Sequence, residues 1–280
     1  MLVIKTVKKM REEIARIRKN GLNLGFVPTM GALHEGHLSL IRKSVSENSI
    51  TVASVFVNPI QFGKNEDLSK YPRPFDADKR KLEKNGCSLL FLPSPNEMYK
   101  ERLTTIHVED LTEKLCGLKR PGHFDGVTTV VAKLFNIISP DRAYFGEKDF
   151  QQYKVLNKMN EDLNFGIKIV PCPIIREIDG LAMSSRNIYL NKKERKNAPL
   201  VYDKLKAGAA SLKKGINPAL VIKKIMAEIS TIEGCKTDYV EILDDSNLRK
   251  ISKNTKKIRI FSAVFFGNTR LIDNIGVKIK

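Results

Sequence analysis

The sequence lacks a long apolar run. No stretch approaches the roughly 18–20 consecutive apolar residues that a membrane helix needs. Its first residues also lack the basic, apolar and small-residue order of a secretory signal peptide. Both absences favour a cytoplasmic protein that has no membrane partner.

Cysteine is scarce. The chain has four cysteines, Cys87, Cys116, Cys172 and Cys235, and no two of them are spaced as Cys-x-x-Cys. In a cytosolic chain this distribution favours reduced, buried side chains over a disulfide framework or a zinc site.

Acidic residues are also few. The chain has 31 of them against 49 Lys and Arg, so its formal net charge is +18. Such a charge suggests nucleic-acid binding, but the excess is spread along the chain, and no aromatic residues interleave with the densest cluster at residues 192–196. We therefore predict a lysine-rich solvated surface and no nucleic-acid partner. A positive field also suits anionic substrates.

The chain is long enough for a main domain and a smaller one, with 280 residues of which 42% are hydrophobic. Apolar patterns predict strands at residues 22–27, 50–57, 89–92, 142–145 and 167–170, with helical patterns between them. Strands that alternate with helices predict an α/β fold, a Rossmann-like parallel sheet over residues 1–178.

The pattern changes near residue 178. Two predicted helices, at residues 190–213 and 218–232, are followed by strands at 238–243, 258–266 and 271–275 with no helices between them. This order predicts a smaller C-terminal α+β domain with antiparallel strands over residues 179–280.

The residues of greatest chemical interest begin with Pro-Thr-Met-Gly-Ala-Leu-His-Glu-Gly-His at 28–37, where a strand meets a helix. Glycines and a helix N-terminus favour close approach of a phosphate. His34 and His37 lie on one face if the segment is helical, and they could bind phosphate or supply a proton. The alternatives are a glycine-rich surface turn or half of a metal site, for which no third ligand is evident nearby.

Three further segments fall at predicted strand or domain ends. Asn58 and Gln61, in Val-Asn-Pro-Ile-Gln-Phe-Gly at 57–63, suit a small substrate with hydroxyls and a carboxylate, or form an ordinary turn. In Phe-Gly-Glu-Lys-Asp-Phe-Gln-Gln at 145–152, Lys148 suits a phosphate, and Asp149 suits a helix cap or Mg²⁺. Met-Ser-Ser-Arg-Asn at 183–187 offers phosphate ligands or a polar turn.

Together with Lys-Arg-Pro-Gly-His-Phe-Asp-Gly-Val-Thr-Thr-Val-Val at 119–131, these segments resemble, in order, the motifs of the pantothenate synthetase (pantoate–β-alanine ligase) family of the nucleotidylyltransferase superfamily. The resemblance implies an ATP-dependent ligase. In this reaction pantoate attacks the α-phosphate of ATP to give pantoyl adenylate and pyrophosphate. β-Alanine then attacks the adenylate to give pantothenate and AMP.

The resemblance also implies roles for individual residues. His37 would donate a proton with His34 beside it, while Lys148 and Arg186 would clamp the phosphates. Gln61 and Gln152 would bind pantoate, Gln61 would also approach β-alanine, and Asn58 would line the pocket. The residues assigned to ATP are Met30, Gly31, Ala32, Leu33, His34, Glu35, Gly36, His37, Gly146, Glu147, Lys148, Asp149, Ile175, Met183, Ser184, Ser185 and Arg186.

Asp149 is the expected Mg²⁺ ligand, and the resemblance implies a homodimer in which the smaller domain is a candidate lid. The chain departs from the family at residues 71–74, which read Tyr-Pro-Arg-Pro where Tyr-Pro-Arg-Thr is common. Nearby, Asp76 and Asp78 could face Mg²⁺ or begin a helix, and we favour the helix. The main alternative is another pyrophosphate-releasing nucleotidylyltransferase, against which Gln61 and Gln152 argue, because a phosphate acceptor calls for more cationic residues.

Overall fold

A computed structural model describes residues 1–64 and 66–279 of the chain. Contacts divide the chain into two compact units. The first comprises Met1–Glu147 and Gln152–Pro173, and the second comprises Lys148–Gln151 and Ile174–Lys280. The predicted division at residue 178 stays a prediction.

The first unit contains a six-stranded sheet in which all neighbouring strands are parallel, in the order β1-β4-β3-β2-β5-β6. Its strands are β1 Leu2–Ile4, β2 Leu24–Thr29, β3 Ile50–Val55, β4 Leu89–Phe91, β5 Arg142–Gly146 and β6 Lys168–Cys172. The order reverses between β2 and β5, and in such sheets ligands bind beyond the carboxyl ends of strands at the reversal.

Helices connect these strands, as parallel pairing requires. They are α1 Val7–Lys19, α2 Glu35–Glu47, α3 Phe75–Lys84, α4 Pro95–Met98, α5 Leu115–Lys119, α6 His123–Ile138 and α7 Phe150–Asp162. The core lies between helices and sheet, where Phe26, Ile41, Leu90 and Phe135 are almost fully buried.

The second unit has its own core and a three-stranded antiparallel sheet in the order β7-β8-β9. Its elements are α8 Lys192–Asn197, α9 Pro199–Lys213, α10 Pro218–Ser230, β7 Cys235–Asp244, β8 Lys257–Phe266 and β9 Thr269–Lys278. The predicted fold class, a parallel α/β sheet with a smaller α+β unit, is confirmed.

The cysteines are free in the structure. Burial raises the pKa of the Cys87, Cys172 and Cys235 thiols to about 11, so these three stay protonated at neutral pH. In the part of the chain that the structure describes, none of the helices has the length and apolar composition needed to cross a membrane.

Candidate active site

Two histidines cap the start of α2, at the carboxyl end of β2. His34 is the N-cap residue, and its Nδ1 accepts the N–H of Gly36 at 3.1 Å. The Nδ1 of His37 accepts the N–H of His34 at 3.4 Å, and the two rings lie 4.0 Å apart between centroids. The predicted location of this pair at a strand–helix junction is confirmed.

These bonds select the tautomer of both rings. Because each Nδ1 accepts a backbone N–H, the proton of the neutral imidazole belongs on Nε2. Both side chains therefore carry an Nε2–H donor at the positive end of a helix, where an anion is stabilised. The arrangement suits a group that gains negative charge on oxygen.

The turn before the histidines has a left-handed backbone, with φ of 82° at Gly31 and 50° at Ala32. Asp78, in α3 and 1% exposed, holds this turn by accepting the N–H groups of Ala32 and Leu33, both at 2.8 Å. Lys81 donates to the carbonyl of Leu33 at 2.5 Å. Asp78 thus lies inside a helix, as we favoured, and it binds the loop that carries the histidines.

Asp78→Asn is expected to lower the free energy of unfolding by about 1–3 kcal/mol, because the amide retains one acceptor and turns its NH₂ toward a buried N–H. The comparison variant is Asp76→Asn, which is exposed in the same helix and removes the same charge. Chemical denaturation measures both. Equal losses for the two variants would contradict this role of Asp78.

Asn58 and Gln61 lie in the loop after β3 and join a buried polar network. Asn58 donates to Gln61 Oε1 and to the carbonyl of Gly126, both at 3.0 Å, and Gln61 Nε2 contacts Met30 Sδ at 3.0 Å. The hydroxyl of Tyr99 donates to Asn58 Oδ1 at 3.0 Å, and burial raises its pKa, which keeps it a donor. Met30, Asn58 and Gln61, predicted from separate motifs, therefore meet.

Three residues with no role predicted from the sequence hold the backbone at Gln61. His123, at the start of α6, contacts the Gln61 carbonyl through Nδ1 at 2.8 Å. Arg120 contacts His123 Nε2 at 2.9 Å and binds both carboxylate oxygens of Glu66, at 2.7 and 2.6 Å. Because Arg is only a donor, His123 accepts at Nε2 and donates from Nδ1. The motif at 119–131 contains Arg120 and His123, but Glu66 and Gln61, which they bind, lie 54 and 62 positions away in the sequence.

In the second unit, Lys148 and Asp149 lie in the 3₁₀ turn Glu147–Asp149, which follows Gly146 at the end of β5. Lys148 Nζ is 3.7 Å from Asp149 Oδ1, and their side chains are 20% and 47% exposed. Lys148 lines a small concavity with Ser184 and Asp273. The Lys148 side chain is thus partly exposed, beside a carboxylate.

The other segments predicted to bind ATP lie in the second unit and form one folded turn. The carbonyl of Ile175 accepts the N–H of Met183 at 3.0 Å, and Arg176 pairs with Ala182 in an isolated β-bridge. Ser184 Oγ then caps the 3₁₀ turn Ser185–Tyr189 by accepting the N–H of Arg186 at 3.3 Å. Local hydrogen bonds thus hold Ile175 and residues 183–186 in one arrangement.

Among the described residues, no group of three or more His, Cys, Asp or Glu side chains could hold a metal ion. Mg²⁺ in nucleotide sites usually binds one or two carboxylates together with substrate phosphates. The single Asp149 carboxylate fits that donor set. Gln152, at the third position of α7, is half-buried.

The parallel sheet carries capping imidazoles and a buried amide network in the loops at the carboxyl ends of β2 and β3, an arrangement typical of α/β enzymes that bind small molecules. A family model described as pantoate–β-alanine ligase matches residues 2–276. The pantothenate synthetase of Caldicellulosiruptor bescii is 51% identical over the full length of both chains, and that of Clostridium botulinum is 50% identical, also over both full lengths.

Solved structures agree. The pantothenate synthetase from Thermus thermophilus superposes with a TM-score of 0.93 at 42% identity, covering 98% of this chain and 99% of that one. A pantoate–β-alanine ligase from Francisella tularensis, complexed with beta-gamma ATP and β-alanine, gives 0.82 at 35% identity, covering 98% and 97%. The chain belongs to the pantoate–β-alanine ligase family. It is a carbon–nitrogen ligase that joins pantoate to β-alanine to form pantothenate.

Proposed function

We propose that ATP drives this ligation through a pantoyl-adenylate intermediate, with release of pyrophosphate and then AMP. The observation that carries the proposal is the pair of capping histidines, which present two Nε2–H donors at a helix N-terminus. The Francisella relative, complexed with beta-gamma ATP and β-alanine, supports the same substrates.

The chemistry requires activation because a free carboxylate is a poor acyl donor. A carboxylate oxygen of pantoate attacks the α-phosphorus of ATP, and the bond to the bridging oxygen breaks, so that pyrophosphate leaves with the electron pair. The amine of β-alanine then attacks the acyl carbon. The bond from that carbon to the AMP oxygen breaks, AMP leaves, and the nitrogen loses a proton.

In the first unit, His37 and His34 would donate Nε2–H bonds to phosphate oxygens, and His37 would supply a proton to the departing pyrophosphate. Because Asp78 already accepts the N–H groups of Ala32 and Leu33, those two residues would contribute the shape of the loop. Amide groups of Gln61, with Gln152 and the pocket residue Asn58, would bind pantoate. Met30, Gly31, Glu35, Gly36, Gly146 and Glu147 complete the proposed contacts of this unit.

In the second unit, Lys148 and Arg186 would offset charge on the phosphates as it develops in the transition state. The hydroxyl groups of Ser184 and Ser185 would donate hydrogen bonds to ATP, and Ile175 and Met183 would line the site of its adenine base. The Asp149 carboxylate would hold Mg²⁺ beside substrate phosphates. When bound, the ion would neutralise phosphate charge.

Pantoate-dependent exchange of labelled pyrophosphate into ATP, without β-alanine, tests the adenylate directly. Exchange that needs pantoate, together with AMP formed from ATP, pantoate and β-alanine, is the expected result. ADP and inorganic phosphate as products would instead indicate an acyl phosphate. Transfer of AMP to a phosphate acceptor would indicate another nucleotidylyltransferase.

Gly126→Ala is expected to raise KM for pantoate by about tenfold or more, through displacement of Gln61. An added Cβ would lie 2.5 Å from Gln61 Cα and 2.6 Å from the carbonyl oxygen of Ile60. Because alanine forms helices better than glycine, a higher KM for pantoate in this variant must come from this collision.

The control is Gly63→Ala in the loop that carries Gln61, where the nearest atoms to an added Cβ are 3.7 Å away. Steady-state kinetics with varied pantoate compares the two variants. An unchanged KM for Gly126→Ala would contradict the proposed position of Gln61. The homodimer and the lid stay predictions.

A further inference from the structure

The main chain of Lys148 is held by a side chain from β9. Asn274 Nδ2 donates to the carbonyl oxygen of Lys148 at 3.0 Å, across 126 positions of sequence and inside the second unit. Asn274 is only 2% exposed. A buried hydrogen bond to the main chain of Lys148 restrains the position from which its side chain extends.

Arg259, on the neighbouring strand β8, sets the orientation of the Asn274 amide. Its Nη1 donates to Asn274 Oδ1 at 2.5 Å, and its Nε donates to Asp245 Oδ1 at 2.7 Å. A guanidinium has only donors, so the oxygen of the amide must face Arg259. The NH₂ group is thereby directed at the Lys148 carbonyl.

Besides orienting Asn274, the Arg259 guanidinium also contacts Phe150, two residues after Lys148. The Arg259 carbon Cζ lies 3.5 Å from the centre of the Phe150 ring, and that ring is 6.1 Å from the ring of Phe261. Arg259 is 3% exposed, so this stacking is screened little by water. The turn with Lys148 is therefore fixed to the sheet of the second unit at residues 148 and 150.

We infer that Asn274, oriented by Arg259, is a positioning residue for Lys148, an inference that rests on the proposed role of Lys148 in adenylate formation. An ammonium that offsets charge in a transition state must be held within a fraction of an ångström, and small displacements are costly. The antiparallel sheet thus contributes to the first chemical step by locating Lys148.

Asn274→Asp is the sharpest test because aspartate has nearly the same shape and still accepts from Arg259. It has no N–H to give to the Lys148 carbonyl. We expect the maximal rate of pantoate-dependent pyrophosphate exchange to fall by about 10–100-fold, with a smaller change in KM for ATP. The control, Asn254→Asp, makes the same chemical change at an exposed position of the same unit and should leave the rate unchanged.

A double-variant cycle separates positioning from general damage. In a Lys148→Ala background, Asn274→Asp should lower the rate by less than about twofold, since the group it positions is gone. The same 10–100-fold loss in that background overturns the inference, as does an Asn274→Asp rate equal to that of Asn254→Asp.

If Asn274→Asp fails to fold in a thermal melt, Asn274→Ala takes its place under the same criteria. A wild type without exchange overturns the proposed function and this inference together, whereas an active wild type with an unaffected variant overturns the inference alone.

Discussion

Replacing Lys148 with Ala is expected to slow adenylate formation by about 10²–10³-fold, which is the scale of losing one transition-state donor. The Lys148 side chain is 20% exposed, and its Nζ lies 3.7 Å from Asp149 Oδ1, so its charge is neither fully buried nor fully screened by water. Pyrophosphate exchange measures this step before β-alanine enters.

Two further variants show whether the charge is responsible. Lys148→Met keeps the apolar stem and removes only the ammonium, so it should be as slow as Lys148→Ala. Lys196→Ala removes an equal charge from an exposed position of α8 and should be close to wild type. If Lys148→Met were fast, or if Lys196→Ala were equally slow, the contribution of Lys148 would be packing or the general field of the protein.

Patterns of apolar residues predicted most of the fold because its elements are regular. Over residues 1–64 and 66–279, five of the six parallel strands and all three antiparallel strands were predicted, although predicted ends differ from observed ends by a few residues. β1 was missed because three residues, Leu2–Ile4, are too few to show a period. The helix predicted at residues 190–213 is two helices, since Pro199 cannot continue the backbone hydrogen bonds of α8.

The candidate site, like the fold, was predicted from the sequence only in part. Short motifs at strand ends pointed to the loops with His34, Gln61 and Lys148, because each motif contains its own unusual residues. The partners that hold those loops, such as Asp78 and Asn274, stand alone in ordinary helices or strands. The backbone groups that Asp78 and Asn274 bind are 45 or more positions away, so only the folded chain shows which groups these are.

His37→Asn is expected to reduce the exchange rate as much as His37→Ala, by about 10²–10³-fold, while keeping the helix cap. The asparagine Oδ1 can take the place of Nδ1 and accept the N–H of His34, which His37 now accepts at 3.4 Å. It has no group at the position of Nε2. His37→Gln reaches that position with its amide NH₂ and should retain more activity than His37→Asn.

The order of the rates of these variants distinguishes a catalytic role of His37 from a role only in capping α2. If His37 acted only as a cap, loss of the cap would cost about 1 kcal/mol of stability, and His37→Asn would restore both stability and rate. If its Nε2–H acts on a phosphate, stability and rate separate: His37→Asn is stable and slow. Thermal melts and pyrophosphate exchange on the same three variants measure both quantities. A His37→Asn enzyme with a near-normal rate would remove the Nε2 proton from the mechanism, because that variant has no donor at the position.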